Sequence, residues 1–384
     1  MNVLHVIPSV TVNYGGPVTT MGTMIQMWQM SGLKAWVLAL ESAGKAIDLG
    51  VPTTICGRSF PKRFGNSKEA LLWGRAHARD FDLVVFHSTW SIIDIRLAME
   101  CHRLGVPYLV ISHGSLDPFD LKKKRVWKLL LGPLVVRPYL SHSQGVVCST
   151  EMEAARLIKY GARPSMIVMP WSVDVEAATS TRAETRAAYG LNEDEFVLLS
   201  LGRIDYKKGF PILIPAFRRL LQSGIRGRIV IAGPDSKGYL AKVQGMVDEE
   251  GVGDKTMFLP PVTGGAKSSL MQAADCFVLP SLNENFGNTV VEAMQNGLPV
   301  VISDNVYIAE QVSRAKGGIV CRYHEDDLFD GLCRIAREDE TRKAMAERAR
   351  RFGETLRPIS MGKKYVSVLE AVVRGFKNTL ASSA

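Results

Sequence analysis

Cys276-Phe277-Val278-Leu279 is a run of four apolar residues that passes, after Pro280, into Ser281-Leu282-Asn283-Glu284-Asn285-Phe286-Gly287-Asn288-Thr289-Val290-Val291-Glu292-Ala293-Met294. A short unbroken apolar run reads as a strand buried on both faces, and such strands belong to parallel sheets covered by helices. Gly287 then breaks the pattern, and Asn288 or Thr289 is placed to cap the helix that follows. Strand, loop and helix recur along the chain. Phe196-Val197-Leu198-Leu199 is a second such run, and further strands are predicted near 2–7, 35–40, 83–86, 108–112, 145–148, 228–232 and 299–302. The rhythm predicts an α/β protein of two Rossmann-like, doubly wound domains. The domain break is placed at Met169-Pro170-Trp171-Ser172-Val173-Asp174, giving residues 1–171, 172–356 and a last helical segment, 357–384, after Pro358.

The chain has 384 residues, 46% of them hydrophobic and 22% charged. That is enough apolar material for two cores, and it excludes disordered, collagenous and disulfide-scaffold classes. The six cysteines are scattered without a Cys-x-x-Cys pair, which argues against structural zinc and suits a reducing, cytoplasmic setting. No apolar run is long enough to span a membrane, and Met1-Asn2-Val3-Leu4-His5-Val6-Ile7 reads as a first strand rather than a signal peptide. With 47 Lys and Arg against 38 Asp and Glu, the net charge is +9. A basic chain suits phosphate-bearing partners, although solubility explains the same balance.

In doubly wound sheets, ligands bind beyond the carboxyl ends of the strands. Four post-strand loops hold the informative residues. In the loop quoted first, the N–H groups from Gly287 to Val290 would form an anion seat at a helix start. A diphosphate there would repel Glu292, one turn into the helix, so Glu292 is read as accepting hydrogen bonds from a ribose diol. Glu284, before the helix, is read as binding sugar hydroxyls at the far end of the same ligand. A dipole-stabilising Glu292 and a solvated Glu284 are the alternative. The second loop, Gly202-Arg203-Ile204-Asp205-Tyr206-Lys207-Lys208-Gly209, is read equally as a diphosphate seat or a solvated basic loop. In the first case, each cation contact at ~4 Å and an effective dielectric of ~20 is worth about 4 kcal/mol before desolvation. Arg203 would offer a planar fork and Lys208 a point charge. Pro215, in the helix after this loop, is read as marking a first turn that starts late. The third loop, Gly15-Gly16-Pro17, is either a plain turn or a close approach of backbone to an anion at a helix start. The fourth, Ile111-Ser112-His113-Gly114, sets His113 at a strand end.

Together these loops resemble the retaining family 4 glycosyltransferases of the GT-B fold. Glu284 and Glu292 match that family's E-x7-E motif, Gly202-Arg203 through Lys208-Gly209 its G-R-x-x-x-x-K-G loop, and Gly15-Gly16-Pro17 and His113-Gly114 its first-half loops. The resemblance implies two Rossmann-like domains facing a cleft, with the C-terminal helix crossing back to the first. It implies transfer of a sugar, with retention, from a nucleotide-diphosphate sugar to a glycan or lipid-linked hydroxyl, as in bacterial surface polysaccharide or glycolipid synthesis. Neither a metal nor a cofactor is expected. His113, Arg203, Lys208 and Glu284 would form the catalytic set. Gly15, Gly16, Val262, Phe286, Gly287, Asn288, Thr289 and Glu292 would bind the donor, with Val262 in a base-binding segment Pro260-Pro261-Val262-Thr263. Asn285 stands where many members have Gly, and Ser172-Val173-Asp174 replaces their Gly-Val-Asp.

Other readings are a non-catalytic sugar-nucleotide-binding protein, or an epimerase, phosphorylase or dehydrogenase on a similar scaffold. A dehydrogenase needs Gly-x-Gly-x-x-Gly after its first strand, where this chain has Asn13-Tyr14-Gly15-Gly16-Pro17. Asp80-Phe81-Asp82 has the letters of a metal-binding Asp-x-Asp but precedes a strand, at the edge where no site is expected. The stretch Lys122, Lys123, Lys124, Arg125, Trp127 and Lys128 is read either as docking on an anionic membrane at the cytoplasmic face or as a solvated basic helix end. No nucleic-acid module is present.

Overall fold

Valine- and leucine-rich runs form two parallel sheets, one in each of two units. The computed structural model describes residues 1–11, 14–121, 128, 131–160 and 165–383. One unit comprises Met1–Ser172 with Pro358–Ala384, and the other Val173–Arg357.

The first unit holds β1 (Asn2–Ile7), β2 (Lys34–Leu40), β3 (Thr53–Cys56), β4 (Leu83–Phe86), β5 (Tyr108–Ile111), β6 (Gly145–Cys148) and β7 (Met166–Val168), in the order β3-β2-β1-β4-β5-β6-β7. Every neighbouring pair is parallel, and Val3 lies beside Ala35 on one side and Leu83 on the other. The connections reverse direction between β1 and β4, which makes the loops after these strands the place where a crevice opens. Helix Gly16–Met30 packs on Pro358–Ser383. Gly362 permits that approach, because a Cβ there would lie 2.3 Å from Ser31 Oγ. The buried Tyr365 hydroxyl donates to Pro170 O at 2.5 Å and anchors the same helix.

The second unit holds β8 (Phe196–Leu201), β9 (Gly227–Ala232), β10 (Thr256–Leu259), β11 (Cys276–Leu279), β12 (Val300–Ser303) and β13 (Gly318–Cys321), in the order β10-β9-β8-β11-β12-β13. Here the reversal falls between β8 and β11. Helix Arg182–Ala188 starts in a capping box between Thr181 and Glu184. It carries Arg186, buried and paired with Asp275 at 2.7 Å, while Asp275 also accepts from Val197 N, the second residue of β8. Helix Phe210–Gln222 does not start late. It begins at Phe210 with Pro211 in its first turn and admits Pro215 further in. The carbonyl that Pro215 N–H would have reached lies in that first turn, so the loss is confined to the helix end.

Candidate active site

Two loops leave the second sheet at its reversal point and are stitched together. Leu282 N, after β11, donates to Lys207 O, after β8, at 2.7 Å. Gly209 makes this contact possible: its φ is 79°, and a Cβ there would lie 1.8 Å from Pro280 O. Gly202 and Gly233 meet in the same way, a Cβ on Gly233 reaching 1.9 Å from Gly202 O. Asp205 fixes the loop's turn, accepting from Lys207 N at 3.1 Å and from the Ser236 hydroxyl at 2.8 Å.

These backbone ties bring the charged residues together. Lys208 Nζ pairs with Glu284 Oε2, both side chains mostly buried at 17% and 25% exposure. Lys208 is expected at the diphosphate and Glu284 at the adjoining sugar, and in the structure the two side chains form one ion pair. Glu284 is also held through its backbone: its N donates to Asn305 O at 3.3 Å, and its carbonyl accepts from Tyr307 N at 3.1 Å. The loop after β12 thus joins the same edge. Arg203 is exposed and makes no ion pair among the described residues.

Neither Asn288 nor Thr289 caps the next helix. Gly287 occupies the N-cap with φ 85° and ψ 57°, and Asn288 is the first helical residue of Asn288–Gln295. The left-handed conformation required at that corner selects glycine over a side-chain cap. Gly287 O accepts from Val290 N at 2.8 Å, leaving the Asn288 and Thr289 amides without an acceptor among the described residues. Such a terminus favours an anion.

Glu292 lies on that helix and pairs with Lys267 Nζ at 2.5 Å. Lys267 belongs to helix Gly264–Ala273, which follows directly on Pro260-Pro261-Val262-Thr263. The helix that follows the Val262 segment thus packs on the helix of Glu292, and Lys267, which joins them, has no distinguishing sequence signal. The Phe286 side chain is buried, at 3% exposure.

In the first unit, Gly15 takes φ 79° as the N-cap of Gly16–Met30, and a Cβ on Gly16 would meet nothing within 4 Å. The space beside Gly16 is open at a helix N-terminus. His113 has φ 45°, an uncommon conformation for a residue with a Cβ, and its Nε2 lies 3.0 Å from His87 Nδ1. His87 in turn contacts His5, and neither is marked by a motif. The available signal was a histidine inside one apolar run, Val3-Leu4-His5-Val6-Ile7, and another at the end of a second, Val84-Val85-Phe86-His87. Burial lowers His113 to about 4 and His5 to about 3.

Asp80 pairs with His77 Nδ1 at 3.0 Å, and Asp82 Oδ2 accepts from Asn2 N at 2.8 Å, at the start of β1. Lys122, Lys123, Lys124, Arg125 and Trp127 lie outside the described residues. Lys128 donates to Asp120 O at 2.8 Å and sits 5.1 Å from the Trp90 ring centroid. No described helix is long and apolar enough to cross a membrane.

Two family models match consecutive stretches: "Glycosyltransferase Family 4" over residues 14–177 and "Glycosyl transferases group 1" over 181–352. The chain belongs to the family 4 glycosyltransferases, an enzyme family, and its two parallel-sheet α/β units have the GT-B architecture. A D-inositol 3-phosphate glycosyltransferase of Actinosynnema mirum is 33% identical over 55% of this chain and 53% of its own length. An alpha-monoglucosyldiacylglycerol synthase of Streptococcus pneumoniae is 24% identical over 71% of this chain and 63% of its own. The chain thus spans about half the length of the first of these relatives. Among solved structures, the Anabaena protein HepE in complex with UDP superposes with a TM-score of 0.81 at 16% identity, over 97% of this chain and all of the other. WaaG, a glycosyltransferase involved in lipopolysaccharide biosynthesis, gives 0.72 at 18% identity, over 95% and 99%. At these identities the likeness is one of fold.

Proposed function

We propose that this protein transfers a sugar, with retention at the anomeric carbon, from a nucleotide-diphosphate sugar to a hydroxyl of a glycan or lipid-linked acceptor. The observation that carries the reading is the joining, at one edge of the second sheet, of Arg203, the Lys208–Glu284 pair and the amides of Asn288 and Thr289. Three sources of positive potential and one carboxylate match a diphosphate with a sugar attached. Glu292, steered by Lys267, is assigned to the ribose, and the backbone around Val262 to the base. The similar proteins support the class of ligand: HepE was solved with UDP-glucose, and two relatives are a D-inositol 3-phosphate glycosyltransferase and an alpha-monoglucosyldiacylglycerol synthase. The parts assigned to Gly16 and His113 rest on the family resemblance.

In this reaction the bond between the anomeric carbon and the β-phosphate oxygen breaks. The acceptor oxygen bonds to the same face of that carbon, and its proton passes to the departing phosphate. The charge that develops on the leaving diphosphate is what the protein must stabilise, and Lys208 and the helix terminus at Asn288 would do so from a fixed setting, with the exposed Arg203 closing on the phosphate. No metal is assigned a step. Membrane association through residues 122–128 is part of the proposal for the acceptor side, as is a cytoplasmic location.

Lys208→Ala tests the central role. Removing one preorganised charge is expected to lower kcat by roughly 10²–10³ with the fold retained. Turnover equal to wild type would refute the assignment. Interconversion of the donor sugar without any acceptor would identify an epimerase instead.

A further inference from the structure

Three histidines of the first unit form a hydrogen-bonded chain. His5 lies on β1, His87 just past β4 and His113 just past β5. His5 Nδ1 is 2.9 Å from His87 Nε2, and His87 Nδ1 is 3.0 Å from His113 Nε2. The rings follow one another at centroid separations of 5.2 and 5.3 Å. His5 and His87 are fully buried, and desolvation holds all three neutral at ordinary pH.

A neutral imidazole has one N–H and one bare nitrogen. Each contact therefore needs a donor facing a lone pair, and the choice at one ring dictates the next. Two arrangements remain: Nδ1 protonated on all three rings, with donation running from His5 to His113, or Nε2 protonated on all three, running the other way. The His5 end decides between them. His5 Nε2 is buried with no partner, and the adjacent ring, Trp28 at 4.9 Å, carries a buried N–H that also has none. The second arrangement would add an orphaned N–H beside the first. Orphaned buried donors are rarer in proteins than under-used acceptors, so the chain runs outward.

We propose that His5 and His87 are positioning residues that lock His113 in its Nδ1–H tautomer, so that His113 presents a hydrogen-bond donor to a ligand oxygen at the carboxyl edge of the first sheet. The functional half of this inference rests on the transferase reading, and the tautomer half does not. Nδ1 of His113 makes no bond within the described residues, and a sugar oxygen is an acceptor of the right kind. The positive φ of His113 itself fits a residue whose surroundings hold it in an uncommon conformation.

The experiment is a long-range proton–nitrogen correlation spectrum of the full chain, labelled with ¹⁵N-histidine and free of ligand. Signals are assigned by their loss in single His→Gln variants. Nδ1-protonated forms are expected for His5, His87 and His113 at pH 7.5. An Nε2-protonated or averaged signal from His113 would overturn the lock, whatever the enzyme's activity. In His87→Leu, the His113 signal should move to a tautomer average and kcat should fall about tenfold, the worth of one hydrogen bond. His87→Gln, whose amide keeps one donor and one acceptor, should recover most of that loss. An averaged His113 with undiminished kcat would remove the functional half. Absence of transfer in wild type, with the Nδ1 forms intact, would instead count against the transferase reading.

Discussion

Gly209 sets how closely the two charged loops of the second unit approach. Any side chain there meets Pro280 O and must also adopt φ 79°. Gly209→Ala is expected to cost roughly 2 kcal/mol or more, by backbone strain plus displacement of a neighbouring carbonyl. Denaturant unfolding would show it as a lower midpoint at unchanged slope, and an unchanged midpoint would contradict the close approach. The residue scale is also where the sequence said most about the site and where it stopped. Arg203, Lys208, Glu284 and Glu292 stand out as charges placed after apolar runs. Their partners do not. Lys208 meets Glu284 only because β8 and β11 are neighbours in the sheet, and Lys267 meets Glu292 only because two helices pack side by side. Spacing along the chain carries neither fact.

At the scale of elements, the strands expected from apolar runs are β1, β2, β4, β5, β6, β8, β9, β11 and β12, and all nine are present. The four not expected, β3, β7, β10 and β13, are the edges of the two sheets, and the apolar runs of the last three are only three or four residues long. An edge strand has a neighbour on one side only, so its residues are less fully covered. Thr53-Thr54-Ile55-Cys56 alternates exposed and covered positions, and Met166–Val168 and Thr256–Leu259 are only partly buried. The histidine chain is an element-scale feature too, since it needs β1, β4 and β5 side by side. It has a thermodynamic consequence. The folded pKa values lie below the ordinary 6.5, so these histidines stay neutral while the unfolded chain takes up protons. Their contribution is fully present above pH 6.5 and is lost as pH falls, down to about 4 for His113 and about 3 for His5. Each accounts for about 1.4 kcal/mol per pH unit within its window. Asp94 and Glu153, buried carboxyls raised chiefly by desolvation, act in the opposite sense. The clean measurement is therefore a difference. Stability between pH 6 and 4 should fall less steeply in His87→Gln than in wild type, by about one proton's worth of slope. Parallel curves would mean that His87 is protonated in the folded protein.

For the molecule as a whole, the doubly wound class follows from strand order, and both site loops of the second unit flank the point where that order reverses. This placement, more than any single contact, supports the proposal that the second unit binds the donor. The net charge of +9 suits an anionic ligand without specifying one. The most direct measurement is the melting temperature of the full chain with UDP, GDP, ADP and dTDP and their sugars, for wild type and Glu292→Ala. A ligand bound only by the folded state raises the melting temperature by mass action, by about 2.7 kcal/mol of stability at a hundredfold excess over Kd. The account predicts a rise with one nucleotide class in wild type and its loss in Glu292→Ala. A rise of equal size in both proteins would contradict the placement of the nucleoside at Glu292, and no rise with any of them would contradict the donor site itself.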